Sequence, residues 1–206
     1  LGDDFVIPTI AVLHTEKEIQ EFDFPERCVA KSTQSSGEYI VLPTGSAEER
    51  TTMASWLKSN LYLRTREWNY QHLKPKIIVE ELVFDEENVQ EFKIFYRNGV
   101  AKVILTIEER HTDSRKSFFS RDWKYLEVEN LQSPSDRHSP MPPNLTKMLE
   151  ISEQLAAPFS SIRIDLYSNG TAIKVGELTN CHSNASSKYR GDGAKILYRE
   201  WILGRG

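Results

Sequence analysis

The sequence predicts an α+β protein. Apolar runs of strand length come in pairs around short turns that contain glycine. Two other stretches have capped, helical spacing. The pairs and the helices alternate along the chain, and that alternation decides the class. At 206 residues the chain suffices for one sizeable domain or two small lobes sharing a site. Hydrophobic residues make up 39% and charged residues 27%, ordinary values for a soluble globular protein. The formal net charge of −4 supplies no global basic field toward nucleic acid or membrane. No apolar run approaches the roughly 20 residues of a spanning helix, and no charged-then-apolar leader opens the sequence. Cys28 and Cys181 make no disulfide framework and fit a reducing cytoplasm. The first residue is Leu1 and not Met, which leaves room for an N-terminal piece before it.

The elements follow in order. Residues 1–27 read as a lead-in with a short acidic segment. CVAK (28–31) is a strand entering a small polar loop, STQSSG (32–37), and YIVL (39–42) is the strand out of it. Ser46 with Glu49 has the spacing of a capping box. The helix it opens runs to about residue 61, with Met53, Trp56, Leu57 and Asn60 on one side. KIIVEELV (76–83) reads as a buried strand, followed by an acidic loop, 85–91. EFKIFY (91–96) leads through Arg97-Asn98-Gly99 into a strand over 101–107, with Asn-Gly as the hairpin turn. Residues 117–128 form two short strands, and the Pro- and Ser-rich 132–143 a loop. Asn144 caps a helix to about residue 157, with Leu145, Met148, Leu149, Ser152 and Leu155 at helical spacing. The last thirty residues are polar and end in a short apolar segment, 196–203. The expected divisions are 1–27, 28–84 and 85–206.

The stretch IRIDLYSNGTAIKVGELT (162–179) is a hairpin whose apolar strands carry charge. Residues two apart on a strand share a face, so Arg163 and Asp165 point one way and Ile162, Ile164 and Leu166 the other. A two-residue Asn-Gly turn pairs Asp165 with Lys174 and sends Glu177 to the opposite face. A three-residue Ser-Asn-Gly loop pairs Asp165 with Ile173 and Arg163 with Val175, and brings Glu177 and Thr179 to the Arg163/Asp165 face. Two carboxylates and an arginine on one face suit a divalent cation with an anion beside it. The plainer alternative is a salt-bridge patch on a half-exposed sheet.

CVAKSTQSSG, KPKIIVEELV, EFKIFYRNG and IRIDLYSNGTAIKVGELT occur in the order of an ATP-grasp domain, with RDWKYL and PNLTKMLEI between them. The set resembles the TupA-like ATP-grasp family, associated with teichuronopeptide and other cell-surface polysaccharide synthesis. The resemblance covers about residues 5–179. It implies an ATP-grasp fold: two α+β lobes with antiparallel sheets that hold a nucleotide between them. It implies an ATP-dependent carboxylate–amine ligase working through an acyl-phosphate, with ATP and Mg²⁺ as cofactors; the charge and hydropathy above add the expectation of no nucleic-acid partner and no membrane insertion. Lys31 would contact the phosphates, and the loop with Ser35, Ser36 and Gly37 would close over them. Glu80, Glu81, Leu82 and Val83 would be the adenine hinge, with backbone groups of Glu81 and Val83 on the base. Glu91 would take the ribose hydroxyls, with Glu86 and Glu87 as competitors. Lys93 would point to phosphate or the substrate carboxylate. Arg163 would stabilise developing charge, while Asp165, Glu177 and Thr179 would hold Mg²⁺.

The sequence departs from the family pattern in two places. Thr179 stands where such enzymes often place Asn, with Asn180 one position later as the other candidate. NCHSNAS replaces a Gly-rich continuation, which leaves the acceptor undefined. Arg110, Arg115 and Lys116 are basic candidates near the phosphates or else members of a solvated loop. Cys181-His182 is too small a set for zinc. A nucleotide-binding module without turnover is the competing reading.

Overall fold

A computed structural model describes residues 2–84, 89–108, 115–128, 139–180, 182 and 188–202. The chain divides into two compact units, Ile7–Asp85 and Leu1–Val6 with Glu86–Gly206.

The first unit is a four-stranded antiparallel sheet with helices on one face. Its elements are β1 (Thr9–Leu13), α1 (Glu16–Glu21), β2 (Cys28–Ser32), β3 (Tyr39–Val41), α2 (Ala47–Trp56), α3 (Leu61–Thr65) and β4 (Ile77–Glu81), with strand order β1-β4-β2-β3. Alternation along the strands sends Cys28, Ala30, Ile77 and Val79 into a core with Leu13, Ile19, Met53 and Trp56. α1 and α2 start in capping boxes, Thr15/Glu18 and the expected Ser46/Glu49. Arg50 ties them together through the carbonyls of Gly45, Ile19 and Phe22.

Two expectations are corrected in this unit. The segment read as a lead-in contains β1 and α1. β1 is an irregular edge strand that buries only Leu13, and α1 spans six residues, so neither has a readable period. The helix from Ser46 ends at Trp56 and not near residue 61. There the Trp56 carbonyl accepts from the Gln34 amide and the Ser59 hydroxyl, and Asn60 turns extended before α3.

The second unit is a six-stranded antiparallel sheet of order β10-β9-β5-β6-β7-β8. The strands are β5 (Gln90–Arg97), β6 (Val100–Glu108), β7 (Arg115–Ser120), β8 (Tyr125–Leu126), β9 (Ser161–Ser168) and β10 (Ile173–Thr179). α4 (Leu145–Ala156) and α5 (Asp192–Leu197) complete it. Asn98 and Gly99 both take positive φ, 50° and 74°, in the expected two-residue turn between β5 and β6. One sheet face packs Phe92, Ile94, Tyr96, Ile104, Phe119, Ile162, Ile164 and Leu166 against α4. Asn144 precedes α4 as expected, but its side-chain amide donates to Ser168 on β9 and makes no cap bond. The other face is apolar only in part. Phe95, Val103, Leu105, Phe118 and Leu126 are covered there by Tyr189, α5 and the π-helical turn Tyr198–Ile202. Residues 3–6 also belong to this unit, with Val6 bridged to Val175 and Phe5 packed on the α4-side core.

Candidate functional site

The remaining part of that second face carries the charge. Cross-strand register places Lys93 beside Asp165, Glu91 beside Tyr167 and Phe95 beside Arg163. Lys116 on β7 lies across from Ile107, which lies across from Glu91. Period-two alternation therefore brings Glu91, Lys93, Lys116, Arg163 and Asp165 to one surface.

Glu177 and Thr179 reach that surface by a route that neither turn predicted from sequence provides. Ser168 pairs with Ile173, so the connection is the four residues 169–172. The Asn169 side-chain carbonyl accepts from the amides of Thr171 and Ala172, and Gly170 takes φ 89°. Continued unbroken, this register would set Glu177 across from Ile164, on the α4 side. A bulge between Val175 and Glu177 shifts it by one residue. Beyond the bulge Glu177 faces Asp165 and Thr179 faces Arg163. The Asp165–Ile173 and Arg163–Val175 pairs of the three-residue loop do not form. Gly176 fills the bulge because a Cβ there would lie 2.5 Å from the Tyr167 ring.

The resulting cluster is tight and largely buried. Arg163 grips Asp165 with two bonds, Nε to Oδ1 at 2.6 Å and Nη2 to Oδ2 at 2.8 Å. Lys93 donates to Asp165 Oδ2 at 2.6 Å and to Glu91 Oε1 at 2.8 Å. Asp165 is 1% exposed, Glu91 5% and Arg163 8%. Glu177 is exposed; Thr179 donates to it at 2.7 Å, and Arg163 Nη2 lies 3.6 Å from it. Burial pushes the Asp165 carboxyl above its ordinary value, while Lys93 and Arg163 pull against that. For Arg163 the burial penalty is overcome by Asp165, and its pKa rises. Lys116 is half-buried and makes no ion pair among the described residues; burial and then Lys93 lower its pKa.

His182, set aside in the sequence with Cys181, is brought into the site by the structure. Arg163 Nη1 bonds to its Nδ1. Guanidinium only donates, so Nδ1 accepts, and Nε2 carries the proton offered to the Tyr189 hydroxyl at 3.2 Å. Its ring meets Phe95 edge-on and lies near Trp201. Burial and then Arg163 lower its pKa to about 4, so it is neutral at pH 7. The sequence signal was only a histidine in the strand-end segment NCHSNAS. Its neighbour Cys181, with Arg110 and the competitors Glu86 and Glu87, lies outside the described residues, as does the Arg115 side chain.

The remaining predicted residues lie in the first unit. Lys31 bonds to Glu80 Oε2 at 2.5 Å on the face opposite the helices, beside Val29, Ile78 and Val41. The loop after it is anchored by buried Gln34, which bonds Trp56 O and the Lys76 amide. Beyond that anchor the amides of Ser35, Ser36 and Gly37 have no partner among the described residues. Gly37 takes φ 79°. At the end of β4 the Glu81 amide donates to Pro8 O and the Leu82 amide to Arg27 O. Those two N–H groups are spent, so the hinge reading rests on the Glu81 carbonyl and on Val83.

The sequence model of the TupA-like ATPgrasp family matches residues 1–195. The chain belongs to that family. Comparison with curated proteins yields no match. Among solved structures, D-alanine–D-alanine ligase from Bacillus anthracis aligns with TM-score 0.50 and 14% identity, over 89% of this chain and 53% of its own. The ATP-grasp ligase PsnB with its minimal precursor aligns with TM-score 0.44 and 10% identity, over 84% and 45%. The chain thus spans about half the length of the structures it matches. Its fold is the ATP-grasp fold. Among the described residues no helix is long and apolar enough to cross a membrane, and no three His, Cys, Asp or Glu side chains gather as around a metal ion.

Proposed function

We propose that the protein is an ATP-dependent carboxylate–amine ligase that forms ADP through an acyl-phosphate. The observation that carries this reading is the bulge-set face of β9 and β10, where Arg163, Asp165, Glu177 and Thr179 point the same way within an ATP-grasp family member. The substrate carboxylate attacks the terminal phosphoryl group and ADP departs. An amine then attacks the acyl carbon and phosphate departs. Arg163, held by Asp165 and His182, stabilises the charge that develops on oxygen. Lys93 serves the phosphate or the substrate carboxylate.

The donor set fits magnesium, which takes one or two carboxylates and fills its remaining positions with phosphate oxygens and water. Asp165 and Glu177 are cross-strand partners, with the Thr179 hydroxyl next to them. These three would hold Mg²⁺, which supplies charge neutralisation on the phosphates. PsnB has been solved with Mg and ADP. In the first unit, Lys31 and the amides of Ser35, Ser36 and Gly37 suit anionic oxygens. Val29, Ile78 and Val41 offer an apolar surface beside them for a base, with Glu80–Val83 at its edge. Glu91 is assigned to the ribose, although its carboxylate now bonds Lys93. The acceptor class is a cell-surface polysaccharide precursor or an amino acid, and the compartment the cytoplasm.

A second reading, nucleotide binding without turnover, is favoured by one observation: both Asp165 oxygens are already bonded to cations. Phosphorus-31 NMR with a panel of sugar acids and amino acids separates the two. ADP and phosphate are the expected products, and AMP with pyrophosphate would rule out the ligase mechanism. Binding without either product supports the second reading. Mg-ATP at about 100 times its Kd stabilises the fold by about 2.7 kcal/mol, and no thermal shift with it would sink both.

A further inference from the structure

We infer that Lys93 competes with the divalent cation for Asp165, so that the cation binds tightly only together with nucleotide. The inference rests on the proposed metal role of Asp165 and Glu177. Both Asp165 oxygens are engaged, Oδ1 by Arg163 alone and Oδ2 by Arg163 and Lys93. Of the two cations only Lys93 is built to leave. Arg163 is fixed by its two-bond grip on Asp165 and by His182. Lys93 is a point charge on a flexible stem, bonded to Asp165 and Glu91 from one edge. Charge points the same way. Among the described residues the cluster around Asp165 holds Arg163, Lys93 and Lys116 against Glu91, Asp165 and Glu177, three cations to three carboxylates, with His182 neutral. A bare divalent cation adds two uncompensated charges to a poorly solvated, balanced cluster. A nucleotide's phosphates reverse that imbalance and give the displaced ammonium a new partner. Lys116, half-buried and unpaired among the described residues, adds a standing attraction for the same anion.

The test is Mn²⁺ binding to the full chain, read by electron paramagnetic resonance of free Mn²⁺ with and without ADP. In the wild type, ADP is expected to tighten Mn²⁺ by about tenfold or more, an ordinary coupling between sites. Lys93→Met is expected to bind bare Mn²⁺ about tenfold tighter than wild type, and ADP to add little. Lys116→Met removes the same charge without touching Asp165, so its effect on bare Mn²⁺ should be clearly smaller. Equal tightening by both variants, or none by Lys93→Met, overturns the competition. Asp165→Asn is the separate arm. If it leaves Mn²⁺ binding intact, the metal assignment itself fails and the competition falls with it. Should Lys93→Met not fold, Lys93→Gln replaces it. The ¹⁵N signal of the Lys93 ammonium in labelled wild-type protein gives a reading without any substitution. Mg²⁺ with ADP should shift it, and an unmoved signal contradicts the proposal.

Discussion

Lys31–Glu80 and Lys93–Asp165 are two lysine–carboxylate pairs on strands of the two sheets. They have nearly the same length, 2.5 and 2.6 Å, yet their surroundings differ. The Lys31 and Glu80 side chains are 31% and 16% exposed, and the pair lies diagonally across two strands. Lys93 and Asp165 are 16% and 1% exposed, stand in direct register and share the carboxylate with Arg163. Equal distances therefore do not mean equal energies. Water reaches the first pair more than the second, so it parts at the lower cost. In the second, removing one partner leaves buried charge uncompensated. The first can open for a ligand at little cost, whereas the second needs an incoming charge to replace what it loses.

The largest expected effect breaks the buried pair outright. Asp165→Ala leaves Arg163 and Lys93 without their shared carboxylate and is expected to cost about 3–5 kcal/mol in urea denaturation. Asp165→Asn keeps an acceptor for Arg163 and should cost less. A cost under about 1 kcal/mol for the alanine variant would place the cluster with the screened pair.

A pH series comes next. His182 has its folded pKa lowered to about 4 from the ordinary 6.5, so the folded state favours the neutral ring. Its contribution is fully present above about pH 6.5 and is lost as pH falls toward 4. The loss amounts to about 3 kcal/mol across that window. Urea midpoints measured from pH 7 to pH 4.5 should fall in the wild type, and His182→Gln should flatten that part of the fall.

Gly176→Val sharpens the comparison by geometry. Forcing a side chain against Tyr167 costs about 1–3 kcal/mol and moves Glu177 off the Asp165 face. Mn²⁺ binding in the presence of ADP should be lost while the fold survives in circular dichroism. The smallest effect belongs to the open pair. Lys31→Met or Glu80→Gln should change stability by about 1 kcal/mol or less, while Lys31→Met weakens nucleotide binding.

Local signals with one physical cause were legible in the sequence. The Ser46/Glu49 capping box, the Asn98-Gly99 turn, the α4 stripe and the Arg163/Asp165 alternation all appear as read. What failed depended on tertiary context. β1 is a strand only because β4 offers it an edge. Glu177 faces Asp165 because a four-residue turn and a bulge at Gly176 combine, and parity alone could not foresee both. The burial of Asp165 could not be read either, nor that its carboxylate holds both Arg163 and Lys93. The role of His182 could not be read because its partners, Arg163 and Tyr189, come from other segments of the chain.

Glu177 gives the most direct test of the central claim that this face exists to bind metal and nucleotide. Its side chain is 53% exposed and its contact with Arg163 is long, so the fold should not depend on it. Calorimetric titration of wild type and Glu177→Gln with ADP, in Mg²⁺ and then in EDTA, isolates the metal's share. The account predicts that the variant loses at least about tenfold in Mg-ADP affinity. It also predicts unchanged ADP binding in EDTA and a stability within about 1 kcal/mol of wild type. Equal Mg-ADP affinity in the two proteins would contradict it.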